Sequence, residues 1–221
     1  MSVKTDNQIT DDVIAELAWD PAVTIADLSV STNNGEVELK GTADTYGTKM
    51  EAEDAAYRVA GVKSVDNDIV VDPAALGLRS DADIAADIRS AFALDYQVPD
   101  DQLTVSVDDG FVILTGNVDW YYQRDAAEDD AAMIQGVTGI DDDITVTQPD
   151  ASATDIASGI AAAFDRNAEL YDDDIDVQTD GGHVTLSGTV ATWSEYDMAE
   201  DTAWMSPGVT SVTNNIVVLL S

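Results

Sequence analysis

One pattern occurs three times along the chain, and it constrains the fold more than anything else. Gly35-Glu-Val37-Glu-Leu39-Lys-Gly41 returns as Gly110-Phe-Val112-Ile-Leu114-Thr-Gly116 and as Gly182-His-Val184-Thr-Leu186-Ser-Gly188. A second block follows each copy: Gly61-Val62-Lys-Ser-Val65, Gly136-Val137-Thr-Gly-Ile140 and Gly208-Val209-Thr-Ser-Val212. The first glycine of the pattern precedes the glycine of the second block by 26 positions in every copy. A fixed internal period means one supersecondary unit used repeatedly. The 221 residues therefore divide into three units, 1–75, 76–149 and 150–221. Each is near the lower size at which a core stands alone.

Each unit opens on apolar residues spaced i, i+4, i+8: Ile9, Val13, Leu17; Ile84, Ile88, Phe92; Ile156, Ile160, Phe164. That spacing predicts an amphipathic helix with one buried stripe. Thr5 or Asp6, Ser80 or Asp81, and Ser152 or Thr154 are the expected N-caps. Alternation then predicts a strand through Leu28 and Val30, Leu103 and Val105, Ile175 and Val177. Asn33-Asn34-Gly35, Asp108-Asp109-Gly110 and Asp180-Gly181-Gly182 supply hairpin turns. The glycine-bracketed motif forms the second strand. A second helix is expected at about 44–60, 119–135 and 191–206, with an alanine face: Ala52 and Ala56, Ala127 and Ala131, Ala199 and Ala203. Gly61, Gly136 and Gly208 are expected to stop it. Ile69 and Val71, Ile144 and Val146, Ile216 and Val218 mark the last strand. The class is α+β: three tandem α-β-β-α-β units, each a small three-stranded mixed sheet with two helices on one face. Linkers fall near Pro73 to Arg79 and Gln148 to Ser152.

This pattern resembles the BON domain family. The resemblance rests on Gly-x-Val-x-Leu-x-Gly, the alanine-rich helix and Gly-Val-x-x-Val, with Asn67-Asp68-Ile69, Asp142-Asp143-Ile144 and Asn214-Asn215-Ile216 opening the final strand. It covers nearly the whole chain. It implies a non-catalytic module, not an enzyme, that binds phospholipid membranes or small ligands and is often induced by osmotic stress.

Composition narrows the setting. The chain carries 44 acidic residues against 9 basic ones, a formal net charge of −35. Asp supplies 35 of the acids, and all four lysines lie in the first unit. Such an Asp-rich, Lys-poor surface is that expected of an extreme halophile, a halophilic archaeon among them. At about 1 M salt the Debye length is about 3 Å, which screens carboxylate repulsion. The three units carry −10, −13 and −12, so the charge is spread rather than gathered into a patch. Nucleic acid is an unexpected partner, because no basic stripe exists to neutralise phosphates. With no cysteine, disulfides and thiolate chemistry are excluded. No apolar stretch reaches the ~18 residues of a membrane span. No basic-then-apolar leader is visible at the start, so a cytoplasmic location is expected, with peripheral membrane contact left open.

Candidate chemistry is sparse. His183, the sole histidine, stands where the other units have Glu36 and Phe111. That variability argues against a catalytic base. Asp141-Asp142-Asp143 and Asp172-Asp173-Asp174-Ile-Asp176 offer oxygen ligands, but they lack the central Gly and terminal Glu of a calcium loop. No metal, cofactor or catalytic residue is expected. The aromatics are the candidates for binding. Tyr46, Tyr121 and Trp193 occupy equivalent positions at the start of the second helix, and Trp120 flanks the middle one. Such residues either cover one end of a core or contact a neighbouring repeat, a partner or a lipid headgroup. The expected partner is a lipid or a protein. A protein–protein scaffold or self-assembling repeat protein is the alternative, and self-association is left open.

Overall fold

The computed structural model describes residues 4–73, 77, 79–147, 153–170 and 174–219. In the first repeat α1 (Asp6–Trp19), β1 (Ile25–Asn33), β2 (Glu36–Ala43), α2 (Tyr46–Tyr57) and β3 (Ser64–Val71) follow the expected order. The second contains α3 (Asp81–Phe92), β4 (Leu103–Asp108), β5 (Phe111–Val118), α4 (Tyr121–Ala132) and β6 (Gly139–Val146). The third contains α5 (Ala153–Phe164), β7 (Asp174–Asp180), β8 (His183–Val190), α6 (Trp193–Trp204) and β9 (Ser211–Val218). Each repeat has its own three-stranded sheet, with the Gly-x-Val-x-Leu-x-Gly strand in the centre. In the first and third sheets the hairpin pair is antiparallel and the last strand joins in parallel. The helix between the second and third strands supplies the crossover that a parallel pair requires.

The chain divides into two compact units, residues 1–116 with 125–144, and residues 117–124 with 145–221. In the first unit, Ile9, Val13 and Leu17 of α1 are buried against Val37 and Leu39 of β2 and Ile69 of β3. Ala52, Ala55 and Ala56 are fully buried on the inner face of α2. Side chains this small let the helix axis sit close to the sheet. Ile84, Ile88, Val112, Leu114, Ala127 and Ala131 build the equivalent core of the second repeat. In the second unit, Ile156, Ile160, Val184, Leu186, Ala199 and Ala203 do the same for the third.

The fixed spacing of 26 has a direct cause. The Gly35 carbonyl accepts from the Lys63 N–H at 2.8 Å, two residues past Gly61. A Cβ on Gly35 would lie 2.9 Å from the Gly61 carbonyl oxygen. The same clasp joins Gly110 to Gly136 and Gly182 to Gly208, at 2.6 and 2.5 Å. The two glycines of each pair touch, and no side chain fits between them.

The hairpin turns are held from outside. Asn34 and Gly35, and likewise Asp109 and Gly110, have positive φ, as a tight primed turn demands. The Asp6 carboxylate accepts from the Asn34 and Gly35 N–H groups at 2.9 and 3.0 Å. Asp81 holds the second turn in the same way, at 3.2 and 2.9 Å. So the N-caps are Thr5, in a capping box with Gln8, and Ser80, while the next residue clamps the hairpin. The caps expected at Ser152 or Thr154 fall outside the residues whose side chains are described, as do most of both linkers.

The second helices are shorter than expected. Thr45 caps α2, and the helix ends at Tyr57. Gly61 therefore does not terminate it. It takes φ +106° in the following turn and lies against Ile9 of α1, where a Cβ would come within 2.9 Å of the side chain. The asparagine in the middle of the last strand also has a task. Asn67 Nδ2 donates to the Lys49 carbonyl at 2.9 Å and to Glu53 Oε2 at 3.1 Å, while its Oδ1 accepts from Ile69 N–H. Asn214 repeats the clamp with Tyr196 and Glu200.

Candidate binding surfaces

The aromatics at the helix starts are all half-buried. Tyr46, in the first unit, follows the Thr45 cap. Burial, then Glu128 and Glu53, pushes its hydroxyl pKa up. The neighbouring Gly47 lies 3.4 Å from the Ala132 carbonyl and the Met133 sulfur, measured from an ideal Cβ, so α2 begins against the end of α4. In the second unit, Tyr121 stacks on Trp204, ring centres 4.3 Å apart and planes 11° from parallel. Trp120 precedes it, its N–H donating to Gln123 Oε1 at 3.0 Å. Trp193 meets Tyr196 edge-on at 5.0 Å. Tyr121 thus contacts an aromatic of the next repeat.

The most exposed apolar side chains lie elsewhere. Trp19 is 84% exposed, Leu94 88% and Tyr96 95%. Trp19 and Leu94 hold the same place in their repeats, where the first helix ends. Both are held by a built turn, because Asp20 accepts from Ala22 N–H at 3.0 Å and Asp95 from Gln97 N–H at 2.8 Å. Such Asx turns fix a loop without a strand. Arg58 adds an anchor in the first repeat, pairing with Asp20, Glu16 and Glu51. The sequence did carry a signal: Trp19 falls two residues past Leu17 and Leu94 two past Phe92, off the buried stripe. In the third repeat Arg166 occupies this position.

The acidic runs do not converge. Asp141 and Asp143 face solvent, whereas Asp142 turns inward and accepts from Ile144 N–H at 2.9 Å. Strand alternation separates the three. Asp172 and Asp173 lie outside the described residues. Among the described residues Glu38, Asp66 and Asp68 do gather, their oxygens within 4.8 Å of one another, on the open face of the first sheet. Lys40 already pairs with Glu38 and Asp68 there, supplying the cation locally. A groove of about 700 Å³ beside them is lined by Ser31, Asn33, Glu36, Glu38, Ser64 and Asp66. His183 is exposed, its ring nitrogens next to Ser211 and Thr213 hydroxyls.

One further recurrence lies in the second helices. Ala52-Glu53-Asp54 returns as Ala127-Glu128-Asp129 and Ala199-Glu200-Asp201. Burial pushes the Asp54, Asp129 and Asp201 carboxyls above the ordinary carboxylate range, and Asp129 adds to the effect on Asp54. A carboxyl raised in the folded state contributes stability at low pH that is lost as pH rises through its folded value. Replacing Asp54 and Asp129 together by Asn is therefore expected to raise the melting temperature at pH 7. The gain should shrink towards the ordinary carboxylate pKa of about 4. Both groups still meet solvent, so the effect is modest. Melts at constant molar KCl across pH 4–8 provide the check, and a variant less stable at pH 7 would contradict it.

Three α-β-β-α-β units, each closed on its own mixed sheet, define a tandem-repeat α+β protein. The BON domain model matches residues 5–73, 80–148 and 152–219, and the chain belongs to that family. The osmotically inducible protein Y of Escherichia coli is 32% identical over 143 residues, which cover 63% of this chain and 71% of that protein. Among solved structures, CdsD, a structural protein of the type III secretion system of Chlamydia trachomatis, is 13% identical. Its match covers 96% of this chain and 92% of that one, with a TM-score of 0.27. The periplasmic domain of PrgH is 12% identical over 93% of this chain and 99% of that one, with a TM-score of 0.22. At these scores the two likenesses carry no argument about arrangement or activity.

The comparisons do correct one expectation. The cytoplasmic location expected from the sequence does not stand; the similar structures include periplasmic domains of PrgH, whose TM-scores of 0.22 place this chain in no compartment. The expectation rested on the first few residues, and where the sequence begins carries no information about location.

Proposed function

We propose that this chain is a non-catalytic, three-module binding protein of the osmotic-stress response, adapted to high salt, which associates with a lipid surface. The observation that carries the reading is the near-complete exposure of Trp19, Leu94 and Tyr96 where the first helices run into braced turns. Aromatics with an apolar body and a polar edge favour the boundary between water and lipid. Tyr46 in the first unit, and Trp120, Tyr121 and Trp193 in the second, are the further contact residues of the proposal, each within its own unit. The modules are 1–75, 76–149 and 150–221. Family membership and the osmotically inducible relative support the setting. A net charge of −35 opposes anionic headgroups, so zwitterionic lipid at high salt is the fitting surface.

Flotation with phosphatidylcholine vesicles in molar KCl tests this. The protein should rise with the vesicles, and Trp19→Ala with Leu94→Ala should cut partitioning about tenfold, equivalent to about 1.4 kcal/mol. Trp120→Ala and Trp193→Ala should weaken it less. Absence of flotation at every salt concentration would end the lipid reading.

A further inference from the structure

We propose that the open face of the β4–β5–β6 sheet docks a basic amphipathic helix of a protein partner. This surface is separate from the braced turns and stands independently of the lipid reading. Phe111 and Ile113 project from the central strand on the side away from the core, 45% and 36% exposed. Two residues apart on one strand face, they sit about 7 Å from each other. The core of the repeat uses the opposite side, where Val112 and Leu114 are fully buried. The fold common to the three repeats does not require apolar residues at both positions. The same strand positions carry Glu36 and Glu38 in the first sheet, and His183 and Thr185 in the third.

Phe111 has one internal task. Its ring lies across Gly139 of β6, where a Cβ would come within 2.8 Å of the ring edge. Shielding a strand glycine explains an aromatic at this place. It does not explain Ile113.

Charge selects the occupant. Asp108 stands opposite Phe111 on β4. Asp109 follows in the turn, and Asp141 and Asp143 are exposed along β6. The apolar strip is therefore flanked by carboxylates on both sides. Its complement is an apolar stripe bordered on both sides by Lys or Arg. A helix with apolar residues at i and i+4 spaces them about 6 Å along its axis, close to the Phe111–Ile113 separation. The acidic margins repel an anionic membrane.

The probe is a labelled 18-residue amphipathic helix of Leu and Lys, titrated by anisotropy against the full chain in KCl sufficient to keep it folded. Wild type should bind, more weakly as salt rises. Phe111→His with Ile113→Thr installs the residues found at these positions in the third repeat. It should weaken binding about tenfold. Glu38→Thr, which removes an acid from the first sheet, should leave the affinity unchanged. Equal affinity for wild type and the double variant would overturn the proposal, as would an equal loss in Glu38→Thr or no binding by wild type. If the double variant melts early because Gly139 is uncovered, Ile113→Thr alone decides by the same criterion. Vesicle flotation should be indifferent to Ile113→Thr, so this inference and the lipid reading fail separately.

Discussion

In dilute buffer the chain should lose cooperative structure, and it should regain it in molar KCl. The cause is the net charge of −35, with few cations to offset it. The basic side chains are used locally: Lys4 with Asp12, Lys40 with Glu38, Arg58 with three acids, Arg79 with Asp87. Among the described residues no charged side chain is buried. The remaining carboxylates face one another across water. At about 0.01 M salt the Debye length is about 30 Å, so every acid on a repeat feels the others; at about 1 M it is about 3 Å. Each core is small, and its stability of about 0.05–0.15 kcal/mol per residue leaves little to oppose that repulsion. Circular dichroism melts from about 0.01 to 3 M KCl would show it. Sorbitol at equal osmolality should not substitute for salt. A melting temperature unchanged over this range would refute the salt-adapted reading.

Gly188→Ala should unfold the third repeat. Gly188 closes the central-strand motif with φ +140°, and a Cβ there would lie 2.0 Å from the Asp174 carbonyl oxygen. Both partners are backbone in a paired strand, so neither side can rotate away. Backbone strain of about 1–3 kcal/mol adds to overpacking of similar size. A loss of about 3–5 kcal/mol approaches the whole stability of a unit this small. Gly181→Ala is the control in the same repeat. It also has positive φ, +59°, but nothing lies within 4 Å. Its cost should be about 1 kcal/mol. Thermal melts in molar KCl and limited proteolysis of residues 153–219 distinguish the two. A Gly188→Ala protein that melts with wild type would show that the strand can yield, and the clash argument would fall.

Local periodicity made most of the fold legible. Ile9, Val13 and Leu17 announce a helix face, and Val37 with Leu39 a strand, because each signal lies within a few residues. Ala52 and Ala56 marked the inner face of α2 for the same reason. What stayed hidden depends on contacts between distant residues. Composition could not show that Gly35 touches Gly61, or that Asp6 holds a turn 28 residues away. The candidate surfaces were harder still. Tyr121 reads as a helix-start aromatic, and only the tertiary structure brings Trp204 onto its ring. Trp19 and Leu94 were visible as residues out of phase with the buried stripe, yet phase alone does not report how far a side chain stands in solvent. Phe111 and Ile113 follow the alternation of β5 onto its outer side, a parity that becomes a surface once the helices are known to cover the other side.

The glycine clasp also determines where this chain can change length. Ile9 precedes Gly35 by 26 residues, as Ile84 precedes Gly110 and Ile156 precedes Gly182. From first helix to final strand, a unit admits no insertion or deletion without pulling two abutting backbones out of register. Between units the constraint vanishes: Ile69 to Ile84 spans 15 positions, and Ile144 to Ile156 only 12. Among the three copies these spacings differ only at the seams. A gene assembled this way grows or shrinks by whole modules, each arriving with its closure already encoded.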